Sequence, residues 1–186
     1  MEIFPLMTLF ATKGIDMKNK FILLSLIVAL CGCRNTSDSH TTTFSGNGYS
    51  LQFPSNWNVH AGPDGVDVIA SSPADSADRL QAGVTVIIEN VPSQMSHDAY
   101  LELNLAQIIK FHELPSDSKF TPKRIGQYEG HHLLYTKRTN KNEIDVDIYI
   151  VIQNSKAFAI FCSIEHETRE LFATTMSGII STLIIE

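Results

Sequence analysis

Three side chains of different chemistry fall on one face of an expected sheet: His132, Asp147 and Cys162. Their juxtaposition follows from a hairpin. Asn154-Ser155 makes a two-residue turn between Glu143–Gln153 and Lys156–Glu165, so Gln153 opposes Lys156. Counting outward, Val151 opposes Phe158, Tyr149 opposes Ile160, and Asp147 opposes Cys162. A loop at 139–142 then sets His132 opposite Tyr149 and Leu134 opposite Asp147. Imidazole, carboxylate and thiolate together can ligate zinc, the basis for a metal-dependent enzyme. The simpler account of the same residues is a polar cross-strand patch beside a buried cysteine. That account is adopted, with no cofactor expected and His132, Asp147 and Cys162 kept as the alternative metal site.

Other matches to catalytic patterns fail on geometry. His166-Glu167-Thr168-Arg169-Glu170 has Glu170 where a zincin helix needs a second imidazole, and it reads as a helix N-terminus carrying favourable acids. Ser116-Asp117-Ser118-Lys119 follows Pro115 in a loop, without the helical turn that fixes a Ser–Lys pair. G-x-S-x-G, P-loop and G-x-G-x-x-G patterns are absent from the sequence. His112 extends an apolar helix stripe and reads as a core-edge residue. Asp145 and Asp147 share a strand face with Glu143, which points to a solvated sheet margin. The expectation is therefore a protein that is not an enzyme.

The elements carrying these residues are legible from periodicity. Tyr49, Leu51 and Phe53 alternate with polar residues and end at Pro54; further strands are expected from Trp57, over Val66–Ala70 and over Val84–Val91. Ser71 to Ala82 reads as a polar loop. Ser96 caps a helix whose stripe is Leu101, Leu105 and Ile108, flanked by Tyr100, Ile109 and Phe111, and Pro115 stops it. Strands near 119–126 and 128–138 precede the hairpin, and a last helix at about 168–183 is expected to bury Phe172, Thr175, Met176, Ile179 and Leu183. Both faces of the hairpin are apolar, so both must be covered. The expected class is α+β: one domain, with an antiparallel sheet sandwiched between helices as α/β/α.

The N-terminus carries a different chemistry. Met17-Lys18-Asn19-Lys20 is a short basic segment, Phe21 to Leu30 an apolar run broken only by Ser25, and Leu30-Cys31-Gly32-Cys33 its end. Ten apolar residues span ~15 Å as a helix, about half a hydrocarbon core, so the run reads as an export signal and not a transmembrane anchor. Its end resembles the bacterial lipobox. Small Gly32 admits the scissile Gly32–Cys33 bond to a narrow peptidase site, and the Cys33 thiol accepts a diacylglyceryl group. The organisation expected is 1–16 upstream of the true start, 17–32 signal peptide, 33–47 a lipidated flexible tether of small polar residues, and 48–186 the globular domain.

Composition limits the partners. The 186 residues carry 14 basic and 20 acidic side chains, a formal charge of −6, which excludes the basic stripe of a nucleic-acid binder. From Cys33 onward there are 11 basic and 18 acidic residues, so anionic head groups would repel the domain. Membrane contact is therefore expected through the acyl chains on Cys33, with an envelope protein as further partner. Arg34 follows Cys33 where Asp would signal inner-membrane retention, which points to the outer membrane, periplasmic face, in a Gram-negative envelope. Cys162 is the single cysteine after Cys33 and is expected to be buried.

Tyr49-Ser50-Leu51-Gln52-Phe53-Pro54-Ser55-Asn56-Trp57 resembles the aromatic-apolar-Pro-x-x-Trp opening of PsbP-like domains, a group that includes bacterial DcrB-type envelope lipoproteins. The order of elements over 48–186 fits as well. The resemblance implies a non-catalytic α/β/α domain that binds or stabilises other proteins; it carries no catalytic residue over, and no motif here licenses transfer of the manganese or calcium sites of photosynthetic members. A carrier of a small apolar ligand between sheet and helices is the alternative function.

Overall fold

The computed structural model describes residues 40–74, 81–138 and 142–186. The expected upstream segment, signal peptide, cleavage site Gly32–Cys33, lipid attachment at Cys33 and first part of the tether lie outside these residues.

Among the described residues, ten strands and two helices form one α+β domain. A seven-stranded antiparallel sheet has the order β3-β4-β5-β9-β8-β7-β6. Its members are β3 (Asn58–Ala61), β4 (Val68–Ser71), β5 (Ala82–Asn90), β6 (Thr121–Ile125), β7 (Tyr128–Arg138), β8 (Glu143–Gln153) and β9 (Lys156–Glu165). The turn between β8 and β9 fixes the pairing. Asn154 and Ser155 both hold φ near +55° (52° and 59°), the backbone a two-residue hairpin requires. Gln153 opposes Lys156, Asp147 opposes Cys162, and Ile148 opposes Phe161, as the sequence predicts. The β7–β8 register sets His132 against Tyr149 and Leu134 against Asp147, also as expected.

A second sheet of three strands, β1-β2-β10, was not anticipated. β2 (Tyr49–Pro54) pairs antiparallel with β1 (Thr41–Ser45) on one side and with β10 (Ile184–Ile185) on the other. The expected tether, 33–47, is thus corrected from Thr41 onward. Three consecutive threonines are β-branched and favour extended backbone, and all five residues of β1 face a partner strand.

The two faces of the large sheet bury separate apolar clusters. On one, Phe158, Ile160 and Cys162 of β9 and Val84 and Val86 of β5 pack with Tyr49, Leu51 and Phe53 of the small sheet and with Met176, Ile179 and Ile180 of α2 (Arg169–Ser181). Trp57 is buried in this cluster, and Phe172 packs against it. On the other face, Ala157, Ala159, Ile148 and Ile150 pack with Tyr100, Leu101 and Ile108 of α1 (His97–His112). Each Val, Leu, Ile, Phe or Met among them contributes ~1.5–3 kcal/mol on full burial. Ser96 caps α1 through its side-chain oxygen, which accepts from the Ala99 amide at 3.2 Å. The buried stripe of α1 runs through Asn104, whose amide donates to the Tyr100 carbonyl. Phe111, expected to flank that stripe, is exposed.

Gly130 lets β7 sit tight against its neighbours. A Cβ there would stand 2.6 Å from both Ile125 Cδ1 and the Ile150 carbonyl oxygen. Among the described residues, no helix is long and apolar enough to cross a membrane.

Candidate functional site

The polar residues singled out from the sequence converge where β7, β8 and the start of α2 meet. Period-two alternation sends His132 and Thr136 of β7, and Asp145, Asp147 and Tyr149 of β8, to the face covered by α2. After β9 the chain turns through a single 3-10 turn, His166–Thr168, into α2. This return brings His166 and Arg169 down onto the strand carboxylates.

The result is a closed ion-pair clasp. His132 Nε2 donates to Asp147 Oδ1 at 2.7 Å, and its ring stacks on Tyr149 with centroids 4.7 Å apart. Arg169 Nη2 lies 3.1 Å from Asp147 Oδ2. Arg169 Nη1 lies 3.3 Å from Asp145 Oδ2, close enough for charge attraction but out of line for a hydrogen bond. Thr136 Oγ1 donates to Asp145 Oδ1 at 2.7 Å, and His166 Nδ1 donates to Asp145 Oδ2 at 3.0 Å.

Asp145 and Asp147 are only 3% and 5% exposed, which corrects the expectation of a solvated sheet margin. The physical reason is compensation: a carboxylate is buried only when charges and donors meet it, and here each aspartate has a histidine and shares Arg169. Burial alone would raise the pKa of Asp145. The hydrogen bonds from Thr136 and His166 and the charges on His166 and Arg169 outweigh it and hold the carboxyl below its usual range. Burial pushes the Tyr149 hydroxyl and the Cys162 thiol well above their usual ranges, with Asp147 adding to both.

Of the three alternative metal ligands, His132 and Asp147 are brought into contact, and Cys162 is the cross-strand neighbour of Asp147, fully buried in the apolar cluster. Both oxygens of Asp147 already face His132 or Arg169. Among the described residues, no group of three His, Cys, Asp or Glu side chains is placed to hold a metal ion. The Thr136 hydroxyl donates to Asp145 and not to an imidazole. Arg169 and His166 were missed as partners of this site. His112 sits where expected, at the core edge with its ring 4.9 Å from Tyr135, and burial followed by the nearby Lys137 charge lowers its pKa.

Two open clefts flank the clasp. One, about 230 Å³, runs between α2 and the β6 edge. The other, about 240 Å³, lies over β4, β5, β8 and β9 around Gly83, Ser163 and Glu165.

No family model matches the chain, and no curated protein matches it in sequence. Solved structures do match. The cyanobacterial PsbP protein of Synechocystis superposes with a TM-score of 0.60 at 14% identity, covering 84% of this chain and 99% of its own. LpqN of Mycobacterium tuberculosis, a protein involved in cell envelope biogenesis, matches with a TM-score of 0.55 at 12% identity over 78% of this chain and 90% of that one. A Bacteroides thetaiotaomicron protein matches with a TM-score of 0.55 at 16% identity over 75% of this chain, which spans only 45% of that larger protein. The fold is PsbP-like. At these identities the likeness concerns the fold alone.

Proposed function

We propose that the protein is an acylated cell-envelope module that binds other proteins and performs no catalysis. The observation that carries this reading is the coupling of the Leu30-Cys31-Gly32-Cys33 signal ending to a PsbP-like domain whose strongest polar constellation is an ion-pair clasp between the sheet and α2. A cluster in which donors and carboxylates already meet one another holds α2 on the sheet. The involvement of LpqN in envelope biogenesis supports the setting. In this reading Cys33 carries the acyl chains, and Arg34 directs the protein to the periplasmic face of the outer membrane if the envelope is Gram-negative. A small-molecule carrier would call for a closed apolar cavity of at least ~300 Å³; the two clefts beside the clasp are smaller and open.

The test is membrane recovery of the full chain with and without Cys33→Ala, with metabolic labelling by a fatty-acid analogue. Labelled wild type in the membrane fraction and unlabelled, soluble, folded variant are expected. An unlabelled, soluble wild type would overturn the reading. Affinity capture from detergent-solubilised membranes then identifies the envelope partner.

A further inference from the structure

The cleft between α2 and the β6 edge has two kinds of lining. Lys123, Arg124, Arg169 and Asp147 line it, and Arg169 is already shared between Asp147 and Asp145. Ile164, Met176 and Ile180 contribute apolar surface. Lys123 and Arg124 are exposed on the edge strand, and neither has an ion-pair partner among the described residues. This is a cationic spot on a chain whose net charge is −6.

We propose that this cleft binds a small organic monoanion, a carboxylate with a short apolar body. The carboxylate meets Lys123, which shares its face of β6 with the buried Ile125. The body lies along Met176 and Ile180, where it removes apolar surface from water. The alternatives fit less well, each for a stated reason. An organic cation meets the like charges of Lys123 and Arg124. A compact dianion such as phosphate leaves the apolar lining wet. A neutral apolar molecule gains nothing from the cations. The volume, about 230 Å³, lies below the ~300–1,000 Å³ of pockets that take drug-sized ligands, so the body is short.

The experiment uses the full chain in phosphatidylcholine nanodiscs, labelled with ¹³C at the methionine methyls and titrated with sodium hexanoate. Empty nanodiscs correct for partitioning into lipid. A saturable shift is expected at Met176, with none at Met95, which packs against the α1-side cluster on the opposite face of the sheet. A hydrogen bond to a charged group is worth ~1.5–3 kcal/mol, so Lys123→Gln should weaken binding at least about tenfold, while Lys123→Arg should largely retain it. Both variants alter an exposed edge residue and leave the core intact. Hexylammonium and inorganic phosphate should not shift Met176. The proposal is overturned if hexanoate binds Lys123→Gln as tightly as wild type, if hexanol binds as well as hexanoate, or if phosphate produces the same shift. It is equally overturned if an acidic peptide saturates the cleft and hexanoate does not, which would assign the site to a protein carboxylate.

Discussion

Replacing Arg169 by Met isolates the clasp. The substitution removes the one cation shared by Asp145 and Asp147, whose side chains are 4% and 8% exposed, and keeps most of the apolar stem. Deleting one partner of a fully buried ion pair costs ~3–5 kcal/mol. Here Arg169 is itself 32% exposed, and each aspartate retains a histidine donor, so the cost should fall to about 2–3 kcal/mol. For a domain of this size that corresponds to a loss of roughly 5–10 °C in Tm. Urea unfolding followed by circular dichroism measures it, and the pH dependence separates charge from packing. Asp145 has a folded pKa below its unfolded value, so its stabilising contribution is present above the unfolded value, ~3.9, and is lost as pH falls through the folded one. Without Arg169 the folded pKa rises, and the gap between variant and wild type should narrow as pH drops below ~4. Arg169→Met combined with Asp147→Asn should cost less than the sum of the two single changes. A cost below about 1 kcal/mol at neutral pH, or a gap that stays constant into acid, would refute the electrostatic account.

Two further outcomes test the fold. Trp57→Ala should cost ~3–5 kcal/mol, because the ring is buried in the cluster shared by the small sheet and α2, and native tryptophan emission should be blue-shifted until it moves red in one cooperative step; easily quenched, red-shifted native emission would contradict this. Cys162 should resist thiol reagents in the native protein and react on unfolding, since it is fully buried and its pKa is raised chiefly by that burial; rapid native labelling would show that β9 is open.

Where local chemistry decided the outcome, the sequence was readable. Asn154-Ser155 can form only a narrow range of turns, and once it does, the β8–β9 partners from Ile144 to Glu165 follow by counting. Ser96 and Pro115 delimited α1 for similar reasons. The parts that were not readable depend on distant segments. Thr41–Ser45 has one apolar residue and gains its order from β2, while Ile184-Ile185 is too short to announce itself and acts by pairing with Tyr49 and Ser50. Asp145 and Asp147 look like surface residues when only their strand is considered. Their burial depends on Arg169, more than twenty residues away, and on a 3-10 turn that aims it back at the sheet. Within the site, the His132–Asp147 contact was foreseeable from register, and the arginine that unites the two aspartates was not.

The early start of β1 has a mechanical consequence. With Cys33 as the proposed attachment point, only residues 34–40 separate the membrane from the first hydrogen-bonded strand. Seven residues reach at most ~25 Å, which is less than the ~40 Å breadth of a domain of this length. Under the proposed attachment the leash is shorter than the domain, which then cannot roll freely to present every face. On that proposal, partners in the same membrane would meet it at high effective concentration, and partners seated deep in the envelope would lie beyond its reach.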